Sequence, residues 1–305
     1  INMDMDESSK RKKRNNKILF SLLIFVLIII IILSLIIVTK TPKKALNDVF
    51  TTESLSLSKI DEGSIALSET RKAKSVNAVV PIFMYHFVRE DTGDYEFPEN
   101  MVSPETLENQ LNYLKENNYQ TIYKTDIGNL ENFTKPVWLT FDDGWEDFYL
   151  NAFPLFKKYN MKASYYVITD LIGTPGYVKL DQLKEMKESG LIDIQSHTVT
   201  HPKLATLSKE KIYQELNNSK KYLKEKLDID TEVICYPYGS FNNTVLDLSK
   251  ELGYKYGLAM DGVIYYTSKH DDIYSIPRIY ANRSMTLNTF ANYVKKSKVS
   301  VVWEK

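Results

Sequence analysis

The sequence predicts an α/β domain folded as a (β/α) barrel, preceded by one N-terminal transmembrane helix and a flexible linker. Three observations carry that expectation. Strand-like and helix-like segments alternate strictly over roughly 225 residues from residue 78 onward, a pattern that calls for parallel strands joined by helical crossovers. An apolar stretch without a charge, residues 18–38, stands ahead of that domain. The acids and imidazoles able to do chemistry fall where strands end, the rim on which such barrels carry their working residues.

Residues 18–38 are interrupted only by Ser21 and Ser34. At 1.5 Å per residue they span ~30 Å, the thickness of a bilayer's hydrocarbon core. The stretch is too long for a signal-peptide core, and no small-residue cleavage site follows it. Lys10, Arg11, Lys12, Lys13, Arg14 and Lys17 precede it, against a sparser Lys40, Lys43 and Lys44 after it. The positive-inside rule then makes residues 1–17 a cytoplasmic basic tail and puts everything after the helix outside the cell membrane. Residues 39–77 are rich in Ser, Thr, Lys and Glu with no sustained period, and read as an extracytoplasmic linker with a reach of ~30–37 Å. The folded domain is expected over 78–305.

Charge narrows the partners. The chain carries 39 basic and 39 acidic side chains, but residues 1–40 hold seven of the former and three of the latter. The remainder is therefore mildly acidic, with no basic stripe, and nucleic acid is excluded as a partner. Cys235 is the one cysteine, so no intramolecular disulfide forms. The bias toward Lys, Asn, Ile and Tyr suits a bacterial source.

Within the domain, residues 78–85 (Ala-Val-Val-Pro-Ile-Phe-Met-Tyr) read as a strand with Pro81 at an edge or bulge. Ser103-Pro104-Glu105 supplies an N-cap, a Pro at the first helical position and an early acid, and Leu107, Leu111 and Leu114 follow at helical spacing. Residues 120–123 and 137–141 are strands, and 145–159 a helix bent or restarted at Pro154. Residues 162–169 form a strand, 180–189 a helix stopped by Gly190, and 191–195 a strand that runs into Ser196-His197. A long helix over 208–227 turns Ile212, Leu216 and Leu223 inward. Residues 232–236, 254–260 and 274–280 are strands, with helices over 243–252 and 287–296.

Thr140-Phe141-Asp142-Asp143-Gly144 is the stretch on which function turns. Neighbouring side chains at a strand end point in different directions, so one aspartate can hold a metal while the other handles a proton. Taken alone, Asp-Asp-Gly reads first as a simple turn. Ser196-His197-Thr198-Val199-Thr200-His201 alters the balance: it places two of the chain's four histidines four residues apart, in a β-branched run closed by Pro202. A tight loop is expected there rather than a helix. Two neutral imidazoles and one carboxylate, which Asp143 could supply, make the ligand set of a hydrolytic divalent-metal site, with zinc the first candidate and cobalt or another divalent ion the next. Such an ion polarises a carbonyl and acidifies a water. Asp142 is then the natural base, and His86, at the end of the first strand, either the acid for a leaving amine or a packed strand-end residue. His270 reads as surface. Trp138, Trp145, Tyr165, Tyr166, Tyr236 and Tyr238 lie near the strand ends; core packing is the commoner fate of such aromatics, and only Tyr238 is expected in the groove.

Thr-Phe-Asp-Asp-Gly, Ser-His-Thr-Val-Thr-His and Tyr236-Pro237-Tyr238-Gly239, in that order, resemble the NodB-homology polysaccharide deacetylases (carbohydrate esterase family 4) over residues 79–296. The resemblance implies a distorted (β/α) barrel that hydrolyses N-acetyl groups from polysaccharides of N-acetylhexosamines. It implies Asp143, His197 and His201 as metal ligands, Asp142 as catalytic base, and the Tyr238 backbone N–H as a donor to the oxyanion. Two departures stand out. Cys235 occupies the place where the third family motif has Arg, and the late Leu-x-His motif that supplies the general acid is absent. Both resemble a sub-branch opening with a Met-Tyr-His strand, in which His86 serves as acid. Arg278, in Ile276-Pro277-Arg278, is expected to replace the missing arginine and hold Asp142.

The resulting expectation is a membrane-anchored, extracellular, metal-dependent N-deacetylase of N-acetylglucosamine-containing wall polysaccharide in a Gram-positive bacterium. Peptidoglycan comes first, because the linker keeps the domain near the membrane, and poly-N-acetylglucosamine second. An O-acetyl esterase and a carbohydrate-binding pseudoenzyme are the rival readings.

Overall fold

The structure is a computed structural model that describes residues 73–90, 97–270 and 272–303. The expected basic tail, the transmembrane helix over 18–38 and the linker up to residue 72 lie outside the described residues. No helix among the described residues is long and apolar enough to cross a membrane.

The first strand, β1 (Ala73–Val80), begins ahead of the expected domain start at residue 78. It ends at Pro81, which has no N–H to donate, and β2 (Ile82–Tyr85) departs into a different sheet. The single strand expected over 78–85 is thus two. The short β3 (Phe87–Val88) and β4 (Met101–Val102) pair with each other, and α1 (Pro104–Glu116) follows. Ser103 Oγ caps α1 by accepting from Thr106 N at 3.1 Å, and its buried face is Leu107, Gln110, Leu111 and Leu114.

Seven more strands build the main sheet with β2: β5 (Gln120–Ile122), β6 (Pro136–Phe141), β7 (Ala163–Val167), β8 (Ile192–Ser196), β9 (Val233–Cys235), β10 (Tyr256–Leu258) and β12 (Ile279–Tyr280). Their order is β10-β9-β8-β7-β6-β2-β12, with β5 beside β6, and every pairing is parallel. The crossovers carry α2 (Lys124–Ile127), α3 (Phe153–Tyr159), α4 (Leu180–Glu188), α5 (Lys209–Leu227) and α6 (Asn243–Glu251), and α7 (Leu287–Val294) follows β12. A π-helical stretch, Phe148–Ala152, precedes α3, and Pro154 sits in the first turn of α3, where a missing N–H costs nothing.

The sheet curls until its edges meet. Leu258 bridges Ile276, with Ala259 N donating to Ile276 O at 2.8 Å and Ile276 N to Gly257 O at 2.9 Å. Gly257 permits the approach: a Cβ there would stand 2.3 Å from the Tyr236 hydroxyl and 2.4 Å from the Tyr274 carbonyl. The strand expected over 274–280 shrinks to Ile279–Tyr280 plus this bridge because Pro277 interrupts its ladder.

A second, three-stranded antiparallel sheet runs β11 (Tyr265–Tyr266), β1, β13 (Lys298–Trp303). β13 has no counterpart in the sequence expectations. Its residues are mostly exposed, so it carries too little apolar alternation to announce itself.

Every residue of β6 is buried, as is every residue of β7, which a parallel sheet covered on both faces requires. The long helix packs inward through Ile212, Leu216, Leu223 and Leu227 as its spacing demands. Each such side chain contributes about 1.5–3 kcal/mol of burial. Register does the rest: Tyr85 pairs Phe141, Phe141 pairs Tyr165, Val167 pairs Ser196 and Cys235 pairs Leu258. The strands therefore end nearly level, and the residues after them share one rim.

Candidate active site

Asp142 follows the last residue of β6 and points into the barrel, 2 % exposed. Asp143 and Gly144 then both take left-handed backbone, φ 73° and 85°, which turns the chain sharply and sends the second carboxylate elsewhere. The two neighbours so acquire separate surroundings.

Asp142 meets Arg278, which is fully buried. Nη1 donates to Oδ1 and Nη2 to Oδ2, each at 2.8 Å, a two-pronged pair. The guanidinium also donates from Nε to Ala259 O at 3.0 Å, from Nη1 to Thr140 Oγ1 at 3.0 Å and from Nη2 to Cys235 Sγ at 3.1 Å. Burial opposes a charge on Asp142, but Arg278 outweighs it and holds the carboxyl below its ordinary range. Asp142 is thus ionised at neutral pH.

Asp143 meets the two histidines. Its Oδ1 lies 3.3 Å from His197 Nε2 and 3.3 Å from His201 Nε2. Ligand atoms about 2.0–2.1 Å from a tetrahedral zinc stand ~3.3 Å from one another, so these three atoms suit one divalent ion. The neighbouring groups fit the same purpose. His197 Nδ1 is 2.8 Å from Cys235 O, which assigns the proton to Nδ1 and leaves the Nε2 lone pair toward Asp143. Trp145 Nε1 donates to Asp143 Oδ2 at 3.0 Å and leaves Oδ1 free for the ion. Burial and the nearby His197 lower the His201 pKa to about 4, so this imidazole is neutral, as a ligand must be. At His197, burial also disfavours charge, but Cys235, Asp143 and Asp142 act the other way and raise the pKa.

A second trio, Asp142, His197 and Cys235, also lies within ligand distance. The Arg278 guanidinium already bonds both Asp142 and Cys235, and His197 offers that side only its Nδ1–H. A cation is in place there, and no metal is needed.

The loop from Ser196 to His201 is irregular, as its β-branched run suggests, with left-handed backbone at Thr198 (φ 67°) and His201 (φ 61°). Tyr238 is left-handed too, φ 57°, in the turn after β9; its ring lies 4.6 Å from that of His201 and is 57 % exposed. His86 follows β2 with its ring edge-on to Tyr280, and its buried Nδ1 has no hydrogen-bond partner among the described residues. Such an atom calls for water or a ligand.

One cavity of about 570 Å³ is lined by His86, Asp142, Asp143, His197, His201 and Tyr238. These six, all singled out from the sequence, share the cavity with Trp145, and Arg278 stands behind Asp142. Its walls are largely apolar, among them Trp145 stacked on Tyr177 at 4.3 Å. Trp138, Tyr165, Tyr166 and Tyr236 are core, whereas Trp145 joins Tyr238 at the groove. His270 contacts Tyr265 and Tyr266, away from the cavity.

The sequence reading passed over Thr140, which accepts from Arg278 and donates to Phe83 O at 2.7 Å. Its signal was available: on a strand, residues two apart share a face, so Thr140 accompanies Asp142. Tyr177 gave no signal, because its loop touches the rim only through folding.

Comparison with known proteins agrees with this geometry. The family model described as polysaccharide deacetylase matches residues 131–257. The chain is 30% identical to YxkH of Bacillus subtilis over 226 residues, 72% of this chain and 78% of that protein. It is 31% identical over 216 residues to the poly-beta-1,6-N-acetyl-D-glucosamine N-deacetylase of Staphylococcus aureus, 65% of this chain and 73% of that one. Among solved structures, the Streptococcus pyogenes deacetylase PplD in complex with acetate superposes with a TM-score of 0.67 at 33% identity, covering 72% of this chain and 99% of that one.

Proposed function

This chain belongs to the NodB-homology polysaccharide deacetylase family (carbohydrate esterase family 4), and from that premise we propose that it hydrolyses N-acetyl groups on N-acetylglucosamine residues of an extracellular polysaccharide, releasing acetate. The observation that carries the reading is the pairing of an Arg-clamped carboxylate, Asp142, with an adjoining Asp143–His197–His201 trio in one cavity.

A divalent ion held by Asp143, His197 and His201 would supply Lewis-acid polarisation of the amide carbonyl and a more acidic water. The chain's own groups do the rest. Asp142 accepts a proton from the attacking water as the C–O bond forms, and Arg278 keeps that carboxylate ionised and aimed. The Tyr238 backbone N–H donates to the oxygen as it gains negative charge. His86 gives a proton to the amine nitrogen as the C–N bond breaks. Acetate and a free glucosamine amine leave.

Peptidoglycan is the first candidate polymer, on the strength of the linker's sequence. The named activity of the S. aureus relative favours poly-β-1,6-N-acetylglucosamine as the second. The extracytoplasmic, membrane-anchored placement is part of this proposal and rests on the sequence of residues 10–38.

Acetate release is the test. The full chain is incubated with N-acetylglucosamine oligomers, peptidoglycan and the β-1,6 polymer, with Zn²⁺ or Co²⁺, with chelator, and with Asp142→Asn in parallel. Metal-dependent release abolished by the substitution supports the reading, and the polymer turned over fastest identifies the substrate. Cleavage confined to O-acetyl esters, or no release from any polymer with metal bound, overturns it.

A further inference from the structure

We propose that Glu215, on the long helix α5, is a positioning residue that sets the spacing of His197 and His201 for a divalent cation. The inference rests on the metal reading above and adds a residue to it.

Both carboxylate oxygens of Glu215 bond the loop between the two histidines. Oε2 accepts from Val199 N and Thr200 N, each at 2.9 Å, and Oε1 accepts from Thr200 Oγ1 at 2.6 Å. The same helix holds the loop once more, one turn on: Ser219 Oγ lies 2.7 Å from Ser196 Oγ, which accepts from Thr198 N at 3.1 Å. Thr198 Oγ1 then accepts from His201 N at 3.1 Å. All four N–H groups from Thr198 to His201 therefore end on side-chain oxygens, two of them on Glu215. From the other side, Thr169 N and Asp170 N donate to the carbonyls of Thr198 and Val199.

The loop needs this support. Thr198 is β-branched and His201 carries a ring, and both hold left-handed backbone that such residues resist. A chain free to relax those angles would move one Nε2 relative to the other. Two successive N–H groups accepted by one side-chain oxygen tie the middle of the loop to α5. Glu215 is also partly exposed, so water can satisfy the two N–H groups when the carboxylate is removed. Its loss should loosen the chelate and leave the fold standing.

The experiment is a Co²⁺ titration of the full chain followed by its visible absorption, with metal-free thermal unfolding and KM measured alongside. Glu215→Ala is expected to raise the Co²⁺ dissociation constant by roughly 10- to 100-fold, the usual cost of losing a supporting partner behind metal ligands. KM at saturating metal should be unchanged. Glu215→Gln, whose amide oxygen still accepts from both N–H groups while its NH₂ donates to Thr200 Oγ1, should stay within about fivefold of the parent chain. Thr200→Val removes one bond of the three and should fall between them, so the test survives an Ala variant that does not fold. Unchanged affinity and absorption in Ala and Val overturn the proposal, as does a Gln variant as weak as Ala. A parent chain that binds no Co²⁺ overturns the metal reading itself, a result distinct from parent and Ala chains binding equally.

Discussion

Arg278 Nη1 and Nη2 reach the two oxygens of Asp142 at 2.8 Å each, although 136 residues separate them along the chain. Neither side chain is open to solvent, so each charge depends on the other for compensation. Cys235 Sγ accepts from the same guanidinium at 3.1 Å. The cation reaches the carboxylate from the segment just ahead of β12.

Replacing Arg278 with Ala strands a buried carboxylate and should cost about 3–5 kcal/mol of stability, read by chemical denaturation. Arg278→Lys keeps the charge but cannot grip both oxygens. It should unfold at lower denaturant by a smaller margin and lose at least tenfold in kcat for acetate release, with KM little changed. Full activity in the Lys variant would show that aiming Asp142 needs no two-pronged partner.

His86→Gln should lower kcat on N-acetylglucosamine oligomers by roughly 10²–10⁴, the ordinary contribution of a general acid. The same variant should cleave p-nitrophenyl acetate at close to the parent rate, because that leaving group departs without a proton. Equal losses on both substrates would assign His86 to packing against Tyr280 instead.

Tyr238→Ala keeps the backbone N–H and removes the exposed ring. Stacking of this kind is worth about 0.5–1.5 kcal/mol, or roughly 2- to 13-fold in binding. KM for oligomers should rise by that factor while kcat stays within about threefold. A large fall in kcat with unchanged KM would mean that the ring serves His201 and not the sugar.

Asp193, in β8, is a pH prediction remote from the site. Burial raises its pKa to about 6, against the pull of Lys124. The folded state thus favours the protonated acid, so the stabilising contribution is complete below about pH 4 and is lost as pH rises through 6. Asp193→Asn should gain on the parent by ~2–3 kcal/mol between pH 4 and pH 8, measured by denaturation at both values. A stability difference that does not change with pH would refute the shifted carboxyl.

Much of the architecture was legible because parallel strands announce themselves. Buried on both faces, β6 and β7 read as apolar runs broken only by Thr140 and Ser164, and the capped helices carry their signals locally in Ser103, Ser208 and Asn242. What escaped depends on distance. The split at Pro81 and the short β12 follow from proline's missing N–H, but which sheet each fragment joins is a tertiary decision. β13 is held by β1, from the far end of the domain, and its own residues are too exposed to predict it. At the site, Asp142, Asp143, His197 and His201 stand in two short motifs, whereas the bonds to Glu215 and the stack of Tyr177 on Trp145 exist only once the helices and loops have docked.

The closure of the sheet at Leu258 and Ile276 sets an order in time. A polypeptide emerges from the ribosome N-terminus first, so His86, Asp142, Asp143, His197 and His201 are all present before Arg278 has been made. Until the segment after residue 273 seats against Gly257, Asp142 lacks the guanidinium that bonds both its oxygens, and a buried carboxylate short of such compensation is costly to keep as an anion. The proposed site therefore stays incomplete through nearly all of synthesis, and its last component arrives with the segment that bridges Leu258. A nascent or prematurely ended chain would carry the Asp143–His197–His201 trio and still lack the partner that clamps Asp142.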